Sequence, residues 1–203
     1  AIWLFAIDCP LVSAALQEAK AAGIPVFGQE AADCIDVDKS GAQLFNDNLQ
    51  YVEGDFLAWG RGLGAAQADW IVAQVGQNAN VIEFAVPSLI ITQALSEGFN
   101  TQMATCTTCK VTKVDIALTD FGPQLQSKFE TALLRNPQAN ALAVSFDDLM
   151  TLGGASAVMG SGRNSELQVI AGTGFDANNE LIRTDAGQDA GYGYDISYET
   201  WAA

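Results

Sequence analysis

Histidine is absent from this 203-residue chain. That absence removes the commonest general base and metal ligand at neutral pH, so no Ser–His or Cys–His nucleophile can be built. Bases are scarce too. Nine lysines and arginines stand against 24 aspartates and glutamates, for a net charge of −15. Such acidity repels phosphate backbones and anionic lipid, which argues against nucleic-acid binding through this chain. No apolar run approaches the ~18 residues needed to cross a bilayer, so no transmembrane segment is expected. Cysteine is limited to Cys9, Cys34, Cys106 and Cys109, and the sequence does not choose among their pairings. Cys106 and Cys109 form a lone CTTC. Structural zinc would need a second such pair. A thioredoxin-like motif would open a helix after a strand, whereas this one follows a predicted helix and precedes a predicted strand. Structural disulfides in an oxidising compartment are expected, with inert thiols and a metal or redox role left as alternatives.

What is present is a globular composition. The hydrophobic fraction is 49 % and the mean hydropathy +0.16, enough for one good core or two small ones. The first residue is Ala and the second already begins a strand, so the chain reads as cut out of something longer.

Apolar strands alternate with helices along the chain. IWLFAI (2–7) is a continuous apolar run of the kind expected for a buried parallel strand. LVSAALQEAKAAG (11–23) has helical spacing and stops at Gly23. IPVF (24–27) is strand-like again. Residues 28–58 are polar, acidic and irregular, and read as loop with a short strand or two. GRGLGAAQADWIVAQVG (60–76) is a helix rich in small residues. NVIEFAV (80–86) is a strand, 88–103 a helix, VTKVDIAL (111–118) a strand, and GPQLQSKFETALLRNP (122–137) an amphipathic helix. ALAVSFDDLMTLGGASAV (141–158) and LQVIAGTGFDANNELI (167–182) each read as strand, acids, then helix. The class is α/β with parallel sheets and right-handed crossovers. The irregular stretch predicts two lobes with a crossing between them.

In open parallel sheets, ligands bind in the crevice outside the carboxyl ends of the strands. Asp147, Asp148 and Asp176 fall at two such ends, and Glu30 follows another. Asp147, Asp176 and Glu30 are candidate ligand acids. Asp148 is weighed chiefly as a cap of the following helix, as Asp suits helix N-termini. Gly153 and Gly154 suggest close approach of that helix to the sheet. GTGFDA (172–177) matches G-x-G-x-x-A after a strand, a dinucleotide fingerprint. It lies late in the chain, however, and would set Asp176 against a pyrophosphate. GRGLGAA (60–66) lacks the strand and lysine of a phosphate-binding loop and reads as packing. Trp3 and Trp70 are expected in the core. Trp59, Phe121, Tyr192 and Tyr194 lie at element edges, where a ring can stack on a sugar or enclose a cation.

The ordered set AGIPVF, NVIEF, SEGFN, LLRNPQANALAVSFDDLMTLGGA and VIAGTGFD resembles the type I periplasmic sugar-binding proteins. These are similar to ribose- and galactose-binding proteins and to the effector cores of lac-repressor-type regulators. The resemblance implies two Rossmann-like lobes that close on a ligand. It makes residues 1–57, rejoined by 195–203, a partial amino-terminal lobe, and 58–194 a carboxyl-terminal lobe, with crossings near 56–60 and 193–196. It also implies that the first two strand–helix units precede Ala1. By position, Glu30 matches the acid after the IPV strand, Asp147 a residue that bonds sugar hydroxyls, and Asp176 the Asp of a GFD motif. Phe121 lies beside a ring-packing aromatic, and Tyr194 or Asp195 near a polar contact. The ribose type carries arginines where this chain has Ala31 and Leu95. That departure favours a polyhydroxy or positively charged ligand over an anion.

The first reading is therefore a non-enzymatic, extracytoplasmic solute-binding protein of an ABC importer. It takes a sugar or polyol, amine-bearing forms included, and works with an ABC permease. Its place would be periplasmic or extracellular, lipoprotein anchoring through an upstream segment being one form of that. No cofactor or metal is expected. The alternatives are the effector core of a lac-repressor-type regulator and, third, an NAD-type enzyme built on GTGFDA.

Overall fold

A computed structural model of the chain describes residues 1–48 and 56–193. The elements run β1 (Ile2–Phe5), α1 (Cys9–Ala21), β2 (Val26–Gln29), α2 (Cys34–Val37), β3 (Asp47–Asn48), α3 (Phe56–Val75), β4 (Asn80–Ala85) and α4 (Ile90–Met103). They continue through β5 (Lys110–Asp115), α5 (Pro123–Arg135), β6 (Ala141–Val144), α6 (Asp147–Leu149), a π-helical stretch at Met150–Gly154, α7 (Ala155–Gly160), β7 (Gln168–Ala171) and α8 (Asp176–Arg183). The strands form two parallel sheets, ordered β1-β2-β3 and β5-β4-β6-β7. This is the expected α/β class.

Local chemistry sets the helix ends. Pro10 and Pro123 open α1 and α5, where a missing N–H costs nothing. Gly23 ends α1 at φ +67°, and the N–H of Ile24 donates back to the carbonyl of Ala19 at 2.9 Å. The expected helix and strand bounds shift by a few residues, with the start of α3 moving furthest, from 60 to Phe56.

The four-stranded sheet is covered on both faces. Phe84 and Phe129 stack at 3.7 Å in one core layer, which also holds Ile82, Leu142, Val144 and Leu149. The opposite layer sets Val81, Ala143 and Ile170 against Ile71 of α3 and Phe99 of α4. The small residues of GRGLGAA act as packing there. A Cβ on Gly64 would meet the Leu95 carbonyl oxygen at 1.9 Å, and one on Gly98 the Arg61 carbonyl oxygen at 2.0 Å. Helices α3 and α4 therefore touch backbone to backbone. Gly153 and Gly154 also mark a close approach, but to α5 and not to the sheet as expected. Their Cβ atoms would fall 2.7 Å from Gln126 N and 2.9 Å from the Phe129 ring.

The three-stranded sheet departs from expectation. IWLFAI is a strand but is not buried. Trp3, expected in the core, is 53 % exposed and Phe5 50 %. The reason is that α1 covers only one face, through Leu4, Leu16, Ala19 and Val26. Trp70 is half-buried against the α3–α4 layer. Two disulfides form, Cys9–Cys34 and Cys106–Cys109. The first joins the starts of α1 and α2. Among the described residues no helix is long and apolar enough to cross a membrane.

Candidate functional site

One cavity of about 250 Å³ lies where the carboxyl ends of both sheets converge. Its first wall is Phe5, Ala6 and Asp8 after β1, with Glu30 after β2. The facing wall comes from α3 (Phe56, Trp59, Leu63), the start of α4 (Ile91, Thr92, Leu95) and the β5–α5 turn (Leu118, Phe121). The floor is Ser145 to Asp148 after β6, with Thr173 and Phe175 after β7. Strand-end loops thus supply most of the lining, as parallel α/β sheets arrange it.

The floor is built around Asp147. Its Oδ2 accepts from the N–H of Thr173 at 2.6 Å and the Thr173 hydroxyl at 2.9 Å. Its Oδ1 accepts from the N–H groups of Gly174 at 3.0 Å and Phe175 at 3.3 Å. Four donors fill the lone-pair sites of a carboxylate. Gly172 (φ +61°) makes this wrap feasible, because a Cβ there would strike the Asp147 carboxylate at 2.3 Å. The N–H groups of Thr173, Gly174 and Phe175, which a nucleotide reading would aim at phosphate, are therefore engaged by a side chain, and that of Gly172 donates to the Val144 carbonyl at 3.2 Å. Asn178 completes the anchor, its Nδ2 donating to the Asp147 carbonyl at 3.1 Å and to Gln188 Oε1 at 2.8 Å.

Asp148, next in the chain, is exposed and faces the cavity. Partial burial, then the neighbouring Asp147 charge, push its carboxyl above the usual range. Ser145 is buried in the floor, and its Oγ has no partner among the described residues. Beside it, Phe56 and Trp59 stack at 6.1 Å along the α3 wall.

Two further acids shape the walls. Asp8 is buried; its Oδ1 accepts from Ala32 N–H at 2.8 Å and its Oδ2 from Ile90 N–H at 3.1 Å. One carboxylate so joins the three-stranded sheet to the start of α4. Asp120 is held by Lys128 and by Ala117 N–H, and both bonds, the lysine's foremost, keep its carboxyl below the usual range. That pair fixes the turn presenting Leu118 and Phe121. Ala6 (φ +53°) and Glu30 (φ +50°) both hold left-handed backbone at the cavity edge. Non-glycine residues adopt this at a cost, and such strain clusters at functional sites.

A family model described as the periplasmic binding protein domain matches residues 1–198. The chain belongs to this periplasmic binding protein family. No curated protein matches it by sequence. Among solved structures it is similar to an ABC sugar transporter subunit from Rhodobacter sphaeroides 2.4.1, at 17 % identity and TM-score 0.78, covering 100 % of this chain and 68 % of that one. It is similar to an ABC transporter solute binding protein from Agrobacterium vitis with bound allitol, at 17 % identity and TM-score 0.76, covering 100 % and 66 %. A third is the periplasmic binding protein of the arabinose ABC transporter from Shewanella sp. ANA-3, at 19 % identity and TM-score 0.72, covering 94 % and 60 %. At these identities the likeness carries the fold. The chain spans only 57–62 % of the length of several of the matched structures.

Of the residues expected at the family's site, Glu30, Trp59, Phe121 and Asp147 line the cavity together. Asp147 does so with its carboxylate already saturated, so the free acid of the pair is Asp148, the one read chiefly as a cap. Asp176 is exposed at the first turn of α8 and does not line the cavity. Tyr194, Asp195 and the returning segment 195–203 lie outside the described residues. The first crossing, expected near 56–60, falls on the opening turns of α3, which begins at Phe56. Of the two departures from the ribose pattern, Leu95 lines the cavity and Ala31 is buried in the α1 core. Sequence reasoning missed Asp8, Ser145, Phe5, Phe56, Phe146 and Phe175. The strand-end rule that selected Asp147 reaches Asp8 and Ser145 as well, had it been applied to every strand and to hydroxyls. The Cys9, Cys34 and Asp33 cluster offers no metal ligands. Its sulfurs are bonded to each other, and Asp33 accepts from the N–H groups of Cys34, Leu44 and Phe45.

Proposed function

We propose that this protein is the extracytoplasmic solute-binding component of an ABC importer, periplasmic or extracellular, and that it catalyses no reaction. Its ligand is a sugar or another small polyhydroxy molecule, held between a lobe of 1–57 with 195–203 and a lobe of 58–194. One observation carries the reading: a cavity at the carboxyl ends of both parallel sheets combines stacked aromatic walls with a buried, partnerless Ser145 hydroxyl. A sugar ring has one apolar face and a rim of hydroxyls. The apolar face suits Trp59 or Phe121, and the rim suits Ser145, Glu30 and Asp148. Family membership and the matched structures with bound allitol and arabinofuranose support the same class.

Function then rests on closure. The ligand must bind the closed form more tightly than the open one, and the closed form is what a permease recognises. The test is calorimetric titration of the full-length protein with a panel of pentoses, hexoses, amino sugars and polyols. At least one is expected to bind near ~1 μM or tighter. Trp59→Ala should weaken that binding roughly threefold to tenfold. Folded protein that gives no heat with any member would overturn the proposal.

A further inference from the structure

The cavity wall is unusual in its charge. Carboxylates of Asp8, Glu30, Asp147 and Asp148 line it, and among the described residues no lysine or arginine does. Asp8 and Asp147 are compensated by backbone N–H groups. Asp148 has neither a hydrogen bond to its carboxylate nor a salt bridge among the described residues. Lys128, on the neighbouring α5, is already committed to Asp120. Around these acids stand the rings of Phe5, Phe56, Trp59, Phe121, Phe146 and Phe175. At the base, the buried Ser145 Oγ has no partner among the described residues.

Building on the solute-binding reading, the geometry points to a ligand that carries a positive charge as well as hydroxyls: an amino sugar or comparable polyhydroxy amine. Closing the cavity around a neutral sugar removes water from Asp148 and returns hydroxyl hydrogen bonds but no opposite charge, and burying a charge unpaired is costly. An ammonium group on the ligand supplies the missing counter-ion, adding a full opposite charge to a bond that a hydroxyl makes to the carboxylate alone. The surrounding ring faces attract the same cation. An anion meets like charge and finds no basic side chain. The raised carboxyl of Asp148 is what an acid without a counter-ion shows. Ser145 then takes a ligand hydroxyl, so the recognised molecule needs both groups.

Matched pairs differing at one substituent isolate the charge. The full-length protein is titrated with D-galactose, D-galactosamine and N-acetyl-D-galactosamine, and with the corresponding glucose series. In at least one series the free amine is expected to bind about tenfold or more tightly than its neutral parent, with the gain lost on acetylation. Added salt should weaken only the amine. Asp148→Asn should abolish the preference, and Glu30→Gln serves as a second variant on the opposite wall. Neutral sugars binding as well as their amines would overturn this inference and leave the solute-binding reading standing. A preference that survives in both variants would also overturn it. Silence across the whole panel would instead sink the solute-binding reading itself.

Discussion

Asp147 is worth more to the cavity as a builder than as a contact. Its carboxylate collects the N–H groups of three consecutive residues, Thr173 to Phe175, and so shapes the floor. Asp147→Ala leaves those donors without an acceptor near a buried site. The expected loss is about 2–4 kcal/mol, read from urea denaturation midpoints. An unchanged midpoint would mean that water replaces the side chain at no cost. Local sequence marked the DD pair as important but could not say which acid was free. That choice is made by Gly172, 25 residues away in sequence from Asp147, whose lack of a Cβ lets the second loop close over the first acid. Ser145 was equally placed at a strand end. It went unread because a serine after an apolar strand carries no charge to draw notice.

At the scale of elements, the apolar alternation named nearly every strand and helix of the two sheets. Periodicity reports which residues repel water, and that decided the elements well. It does not report which face another layer covers. IWLFAI shows the gap: a continuous apolar run reads as buried on both sides, yet α1 shields only the Leu4 side. The GRGLGAA run was legible because small residues at helical spacing permit close helix contact. Its glycines are not equivalent, however. Gly64→Ala drives a methyl into the Leu95 carbonyl, and a cost of about 3 kcal/mol or more is expected. Gly62, two residues earlier in α3, has open space around its Cβ position. Gly62→Ala should therefore stabilise the helix by up to about 1 kcal/mol. Thermal melts of the two variants, moving in opposite directions, check the α3–α4 contact.

For the whole molecule, the two disulfides differ in reach. Cys9–Cys34 spans 25 residues and Cys106–Cys109 spans 3. On a chain-entropy basis they contribute about 3.5 and about 1.6 kcal/mol. Replacing Cys9 and Cys34 by alanine should depress the melting temperature clearly more than replacing Cys106 and Cys109, as calorimetry would show. Equal depressions would place the larger effect outside loop entropy. The successive strand ends that carry Cys9 and Cys34 allow them to meet at one sheet edge, but the sequence does not choose that pairing, which depends on α1 and α2 starting side by side. The convergence of the two sheets on one cavity was legible only as a family resemblance. No local pattern encodes how Asp8 and Ile90, 82 residues apart, come to face each other.

Asp8 gives that convergence a time dimension. Its two oxygens hold two different parts of the molecule, the Ala32 loop and the start of α4. Any opening that draws α4 away from β1 must first part Ile90 from Asp8 and leave half of a buried carboxylate uncovered. An opening at that point would therefore be a discrete break and not gradual yielding. For the proposed solute, release would then wait on that break as well as on the loss of its own contacts.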